Sequence, residues 1–153
     1  MLHRKERTLD NIPVGSLGII SLDGCQEMGN RVNDYIVKWR KEDERDVAKH
    51  LVFNGYEKEN YLIDAKVPRF GSGEAKGIIN ESVRGMDLYL MVDVCNYSLT
   101  YSLSGHTNHM SPDDHYQNLK RIIAAVAGKA RRINVIMPFL YESRQHKRSS
   151  RRR

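Results

Sequence analysis

Basic and amide side chains follow an apolar segment near the end of this chain of 153 residues. The segment Ile133–Phe139 has the pattern of a buried strand, and Arg144 and Gln145 come soon after it. In an open α/β sheet, ligands bind beyond the carboxyl ends of the strands. The guanidinium of Arg144 can give forked donors to phosphate oxygens, and the amide of Gln145 can donate to and accept from a purine edge or a ribose hydroxyl. The sequence therefore predicts a nucleotide or phosphate site in this loop.

The positive charge of the chain is concentrated at its end. The formal net charge is +6, and residues Glu142 to Arg153 include six basic side chains and one acidic one, so the first 141 residues carry only +1. A protein that binds polynucleotide phosphates usually spreads its charge over a face. Three interpretations stay open: a solvated basic tail, a loop that binds a polyphosphate, and an RNA-binding end. The near-neutral remainder disfavours the third, so we expect no nucleic-acid partner.

A glycine-rich stretch, GSGEAKG, runs from Gly71 to Gly77 and loosely resembles a dinucleotide-binding fingerprint. Its third glycine falls one place late. The stretch also leads into a predicted strand, whereas the fingerprint opens a helix. The alternative interpretation is a simple hairpin turn, and the pattern favours it.

Three histidines, His106, His109 and His115, lie near Asp113 and Asp114. A metal site needs three or four convergent ligands. The spacing here is loose, and the two aspartates already suit the first turn of a helix. We therefore expect no metal site among these residues.

The elements that would position these side chains alternate between strands and helices. Apolar runs predict strands at Gly18–Leu22 and Met86–Val94, and the second run is nearly continuous, as in a strand buried on both faces of a parallel sheet. Helical spacing predicts helices over Gln26–Lys41 and Ser111–Ala127. The second helix has a serine cap, a proline at its first position and a glycine stop at Gly128. This order predicts βαβ units in an α/β domain with a parallel sheet.

Other segments give mixed signals. The segment Tyr61–Val67 alternates well enough for a strand, and Ala75–Val83 could be another. The segment Asp46–Asn60 could continue a helix. The segment Asn96–Met110 is polar and is predicted to be a loop, which at this length is usually functional or mobile.

Length and composition, with 40% hydrophobic and 29% charged residues, fit one globular domain over residues 1–153. We expect residues 1–14 and 146–153 to be flexible. No apolar run approaches the ~20 residues that span a bilayer, and the first residues lack the pattern of a signal peptide, so we expect no membrane partner. The two cysteines, Cys25 and Cys95, fit buried thiols of a reduced cytoplasmic protein.

Three stretches taken together resemble the family of ribose-phosphate pyrophosphokinase, which makes phosphoribosyl pyrophosphate. The stretch VPRFGSGE (Val67–Glu74) is similar to the FSDGE loop of that family. The stretch ESVRGMDLYL (Glu81–Leu90) is similar to its ESVRGKDVFI segment. The stretch VIMPFLYESRQHK (Val135–Lys147) resembles its strand and loop of the pattern IPYxxYARQDK. The order and spacing of the three agree with the family.

The resemblance implies the N-terminal domain of such an enzyme, with the parallel sheet of a type I phosphoribosyltransferase and helices on both faces. The family transfers the diphosphoryl group of ATP to ribose 5-phosphate with Mg²⁺. The resemblance also implies a cytoplasmic homo-oligomer. By resemblance, Arg144 and Gln145 would hold ATP. Phe70 would stack on the adenine in the site of a neighbouring subunit, and Glu74 would accept from its exocyclic amine. Ser72, which stands where the family usually has an aspartate, would be the fifth ATP-binding residue.

Other departures indicate a divergent branch. His146 stands where the family often has an acid, Asn96–Met110 looks like an insertion, and the first 60 residues exceed the usual opening. In the family, the Arg–Gln loop is followed by the catalytic basic residues, the metal-binding histidine and the ribose 5-phosphate loop. None of these is among the 153 residues of this sequence.

We therefore expect no catalytic or metal-binding residue in this chain and no product synthesis by it alone. The alternative is a non-catalytic regulatory or assembly half-domain of the same family.

Overall fold

The computed structural model describes residues 13–42, 56–145 and 147. In chain order, its elements are β1 (Leu17–Ser21), α1 (Gln26–Glu42), β2 (Ala65–Lys66), β3 (Ile78–Ile79), β4 (Asp87–Met91), β5 (Thr100–Leu103), β6 (His106–His109), α2 (Pro112–Val126) and β7 (Arg132–Ile136). Both predicted helices and the strands predicted to flank them form, with ends shifted by no more than three residues.

The predictions of flexible ends concern residues that lie mostly outside this described part. The same is true of the possible helix over Asp46–Asn60, of which only residues 56–60 are described. Among the described helices, none is both long enough and apolar enough to cross a membrane.

A three-stranded parallel sheet in the order β1-β4-β7 forms the centre of the fold. The middle strand is β4, in which Leu88 is in register with Gly18 of β1 on one side and Ile133 of β7 on the other. Both Leu88 and Leu90 are fully buried. The nearly continuous apolar character of β4 follows from this position, because a central strand of a parallel sheet is covered on both faces.

The two helices cover opposite faces of the sheet. Side chains alternate along a strand, so Leu88 and Leu90 pack in one buried cluster with Leu119 of α2. The next side chain, Met91, belongs to a second cluster, which packs against Val32 of α1. This confirms the predicted α/β architecture with a parallel sheet and helices on both faces.

The predicted start signals of α2 act as expected. Ser111 Oγ accepts the backbone N–H of Asp114 at 3.1 Å, and Asp114 Oδ2 accepts the backbone N–H of Ser111 at 3.0 Å, which is a reciprocal capping box. The helix ends at Val126 and is capped by Ala127, which has a left-handed backbone with φ 50°. Because α2 connects the carboxyl end of β4 to the amino end of β7, its first turn lies at the carboxyl edge of the sheet.

The prediction of a loop over Asn96–Met110 was wrong, because this segment contains the antiparallel hairpin β5–β6. Leu103 pairs with His106 across a two-residue turn, Ser104-Gly105, with φ values of 51° and 80°. Positive φ at both central residues is typical of the tight turns that match strand twist. The two strands are short and polar, so their alternation carries little hydrophobic signal.

Two of the predicted strands are much shorter than expected. Only β2 and β3 form, and they pair antiparallel with Ala65 opposite Ile79. The rest of the first segment runs beside β1, where Leu62 forms a single bridge with Ile19. At Tyr61 the backbone N–H donates to the side chain of Asn33 at 2.8 Å, so a side chain of α1 replaces a ladder partner there.

Candidate functional site

Three of the predicted site residues lie on one tight turn. The turn is closed by a bridge between Arg69 and Ala75 and by a hydrogen bond from Phe70 N–H to Glu74 O of 2.7 Å. Gly73 allows the reversal because its φ is 89°, a conformation that favours glycine. The hairpin-turn interpretation of the glycine-rich stretch is confirmed for this part of it.

The turn presents its functional groups to solvent. The Phe70 side chain is 50% exposed. Ser72 Oγ donates to Glu74 Oε2 at 3.1 Å, so the hydroxyl orients the neighbouring carboxylate. Ser72 and Glu74 are both exposed. An exposed aromatic ring can stack on a base, and an oriented carboxylate beside it can accept a hydrogen bond from an amine.

The other two predicted residues follow β7. The backbone folds back twice in this loop, through hydrogen bonds from Ser143 N–H to Leu140 O of 3.1 Å and from Gln145 N–H to Glu142 O of 2.8 Å. Arg144 and Gln145 are exposed. Neither side chain forms a hydrogen bond or ion pair with other residues that the structure describes. No described residue therefore occupies their donors, which lie in the loop that follows the carboxyl end of β7.

The first turn of α2 contacts both of these segments. Asp114 forms an ion pair of 3.3 Å with Arg69 at the base of the Phe70 turn. Asp113 accepts the phenol O–H of Tyr141, and the rings of Tyr116 and Tyr141 stack with centroids 4.2 Å apart. Sequence reasoning gave Asp113 and Asp114 a capping role only. Tyr116 belongs to the apolar stripe that predicts the helix, whereas Tyr141 had no predicted role, because no local pattern distinguishes it from other half-buried aromatic residues.

The two candidate segments are joined through α2 and not directly. Within the described ranges, no hydrogen bond or ion pair connects Arg144 or Gln145 to the turn that carries Phe70. A groove of about 300 Å³ beside the carboxyl end of β1 is lined in part by Asp23 and Asp64. None of the five predicted site residues lines this groove.

Asp114 is held in its charged form. Burial alone would raise the pKa of this carboxyl, but the backbone N–H and hydroxyl of Ser111 and the charge of Arg69 outweigh burial and leave the pKa below its ordinary value. The stabilisation from these contacts is present above the ordinary pKa of 3.8 and is lost as the pH falls through the lower folded-state pKa.

Replacing Asp113 by asparagine is expected to lower the pKa of Tyr141. The bond to Asp113, followed by burial, raises this pKa from 10.0 to about 12, because the carboxylate holds the phenol proton. The contact therefore stabilises the fold fully below pH 10.0 and loses its effect as the pH rises through about 12. An ultraviolet titration of tyrosinate would measure the shift.

The chain has eight tyrosines, so the Tyr141 transition must be found by difference. The variant Tyr141→Phe removes that transition and serves as the reference. An unchanged Tyr141 transition in Asp113→Asn would show that the bond does not persist in solution.

In the described part of the chain, no three histidine, cysteine, aspartate or glutamate side chains come close enough to hold a metal ion. A ring nitrogen of His109 contacts the carbonyl oxygen of Tyr97 at 2.8 Å, and one of His115 contacts that of Asn96 at 2.7 Å. These carbonyl contacts orient the rings within the protein. The described side chains therefore do not fit a divalent ion held by protein ligands alone.

Comparison with known proteins relates this chain to one family. A family model described as the N-terminal domain of ribose phosphate pyrophosphokinase matches residues 17–153. Ribose-phosphate pyrophosphokinase B of Dictyostelium discoideum is 33% identical over 89 residues, which are 58% of this chain and 23% of that protein. The chain thus matches less than a quarter of the length of this relative.

Proposed function

This chain belongs to the family of N-terminal domains of ribose-phosphate pyrophosphokinase, and from that premise we propose that it supplies ATP-binding residues to a ribose-phosphate diphosphokinase. The complete enzyme would transfer the diphosphoryl group of ATP to ribose 5-phosphate and form phosphoribosyl pyrophosphate for nucleotide biosynthesis. We also propose a cytoplasmic homo-oligomer as its working form.

The observation that carries this proposal is the loop after β7, which presents Arg144 and Gln145 at the carboxyl edge of the sheet without partners among the described residues. In our proposal, the guanidinium of Arg144 donates two hydrogen bonds to phosphate oxygens of ATP. Gln145 hydrogen-bonds the ribose or the purine edge. The contact of Tyr141 with Asp113 keeps this loop against α2 while the ligand binds.

The turn between Arg69 and Ala75 would recognise the base. Phe70 stacks on adenine, and Glu74 accepts a hydrogen bond from the exocyclic amine. Because Ser72 already donates to Glu74 Oε2, the second carboxylate oxygen is left for the base. This gives Ser72 an orienting role at the position where the family usually has an aspartate. Among the described residues, no hydrogen bond or ion pair joins this turn to Arg144, which agrees with a base-binding role in the site of a neighbouring subunit.

Transfer of a diphosphoryl group depends mainly on positioning and charge neutralisation. Arg144 contributes positive charge at the phosphates, and the turn with Phe70 fixes the other end of the nucleotide. Mg²⁺ belongs to this proposal as the ion that accompanies the ATP phosphates, and none of the described side chains is assigned to it.

Calorimetric titration of the purified chain with Mg–ATP tests the proposal. We expect saturable binding of ATP and no binding of ribose 5-phosphate. GTP should bind more weakly, because guanine has a carbonyl oxygen where adenine has the amine from which Glu74 would accept a hydrogen bond. Absence of ATP binding at millimolar concentrations would contradict the proposal. Light scattering on the same sample, with and without a full-length relative, would detect the assembly expected of the regulatory half-domain alternative.

A further inference from the structure

Arg69 has an unusual set of contacts for a residue beside a surface turn. Its side chain is only 13% exposed. Its guanidinium donates to Gly73 O at 2.9 Å and to Asp114 Oδ1 at 3.3 Å. The same group lies over the ring of Tyr101, with its central carbon 3.8 Å from the ring centroid. The guanidinium thus donates hydrogen bonds and contacts an aromatic face at the same time, a combination that the ammonium of lysine cannot reproduce.

The three partners of Arg69 belong to three different parts of the fold. Gly73 is in the turn itself, Asp114 is in the first turn of α2, and Tyr101 is in β5. One guanidinium therefore fixes the turn to a helix and to the β5–β6 hairpin. Leu103 of the same hairpin lies against Gly73, since a Cβ built on this glycine would be 3.5 Å from the Leu103 methyl groups.

The side chains that flank this anchor are the candidate base-binding groups. Phe70 directly follows Arg69, and Glu74 closes the turn through its backbone oxygen. Both residues are exposed, Phe70 to 50%. Their positions thus depend on the backbone of the turn, and the turn depends on Arg69.

We propose that Arg69 is a positioning residue for adenine recognition, and that the β5–β6 hairpin is its support through Tyr101. This inference rests on the proposed function. Arg69 does not touch the nucleotide. It holds the turn in the conformation in which Phe70 and Glu74 meet the base, so that this ordering does not have to occur when ATP binds.

A selective loss of base recognition would distinguish this role from a general structural one. The variant Arg69→Lys keeps the charge and loses the fork and the stacking. We expect it to raise the Kd of ATP about tenfold, the scale of ordering one or two side chains on binding. We expect the Kd of inorganic tripolyphosphate, which would use Arg144, to change less than about twofold. The partner variant Asp114→Asn should act in the same direction with a smaller effect.

Amide exchange measured by NMR gives a readout that needs no ligand. The N–H groups of Phe70 and Gly73 bond within the turn, to Glu74 O and Phe70 O at 2.7 and 2.9 Å. Arg69→Lys and Tyr101→Leu should speed the exchange of both, whereas Tyr101→Phe, which keeps the ring, should leave both unchanged.

Unchanged exchange together with an unchanged Kd of ATP in Arg69→Lys would overturn the positioning role. An equal loss of ATP and tripolyphosphate binding would also overturn it, since that result indicates general disruption. If Arg69→Lys fails to fold, Tyr101→Leu and Tyr101→Phe give the same comparison. Faster exchange in Arg69→Lys, combined with an unaltered Kd of ATP in Phe70→Ala, would support the anchoring of the turn and contradict the proposed function instead.

Discussion

Replacing Arg144 by alanine is expected to weaken the binding of ATP to this chain roughly 10- to 100-fold. A hydrogen bond to a charged group contributes about 1.5–3 kcal/mol, and each 1.4 kcal/mol corresponds to about a factor of ten in Kd. Arg144 is exposed and makes no hydrogen bond or ion pair with the residues that the structure describes. Its loss should therefore cost ligand contacts without disturbing the fold, as measured by calorimetry and by thermal unfolding.

Two further variants test the origin of this effect. Arg144→Lys keeps the charge but cannot donate a fork, so it should recover only part of the affinity. Arg131→Ala removes the same charge from an exposed arginine just before β7, at the amino edge of the sheet. An equal loss of affinity in Arg131→Ala and Arg144→Ala would indicate a diffuse effect of net charge, and would remove the basis for a site in the loop after β7.

The elements most accurately predicted from the sequence are those whose signals are local. The five residues of β4 are all apolar except Asp87 and Tyr89, and this composition predicts a strand with both faces covered. α2 carries its own start signals, and Ser111 and Asp114 form the capping box that those signals describe. In both cases the residues that determine the structure lie within the element or next to it.

The β5–β6 hairpin was not predicted because its local sequence signals are weak. Thr100–Leu103 and His106–His109 are short and mainly polar, and their pairing depends on the backbone of Ser104-Gly105. A serine with positive φ is not a strong turn signal. The hairpin also packs on Arg69, through Tyr101, so part of its stability comes from residues distant in the sequence.

The candidate site likewise contains residues that local signals predict and residues that depend on contacts between distant parts of the sequence. Residue types and position after a strand were enough to single out Arg144 and Gln145. The residues that hold the site segments were not found, because Arg69 and Asp114 are 45 positions apart and Asp113 and Tyr141 are 28 apart. Such pairs become visible only when the chain has folded, since each member has an ordinary local explanation.

Replacing Gly77 by alanine is expected to destabilise the protein by about 3 kcal/mol, the upper part of the usual range for overpacking. Gly77 precedes β3 and lies directly against the backbone of α2. A Cβ built on it would overlap the carbonyl oxygen of Arg121 and would lie 2.7 Å from the carbonyl carbon of that residue and 3.1 Å from the amide nitrogen of Ile122. These are backbone atoms inside a helix, so they cannot move aside as a flexible side chain could. Urea unfolding would measure the loss.

The same stretch contains a matched control. Gly71 has open space around the position of a Cβ and no positive φ, so Gly71→Ala should change the free energy of unfolding by less than about 0.5 kcal/mol. Equal stabilities of the two variants would show that β3 does not pack against α2 as closely as the structure has it. The expected difference also explains why GSGEAKG only imitates a dinucleotide fingerprint. Gly73 serves the turn through its φ of 89° and Gly77 serves helix packing, so the spacing of these glycines follows from the fold and not from a phosphate.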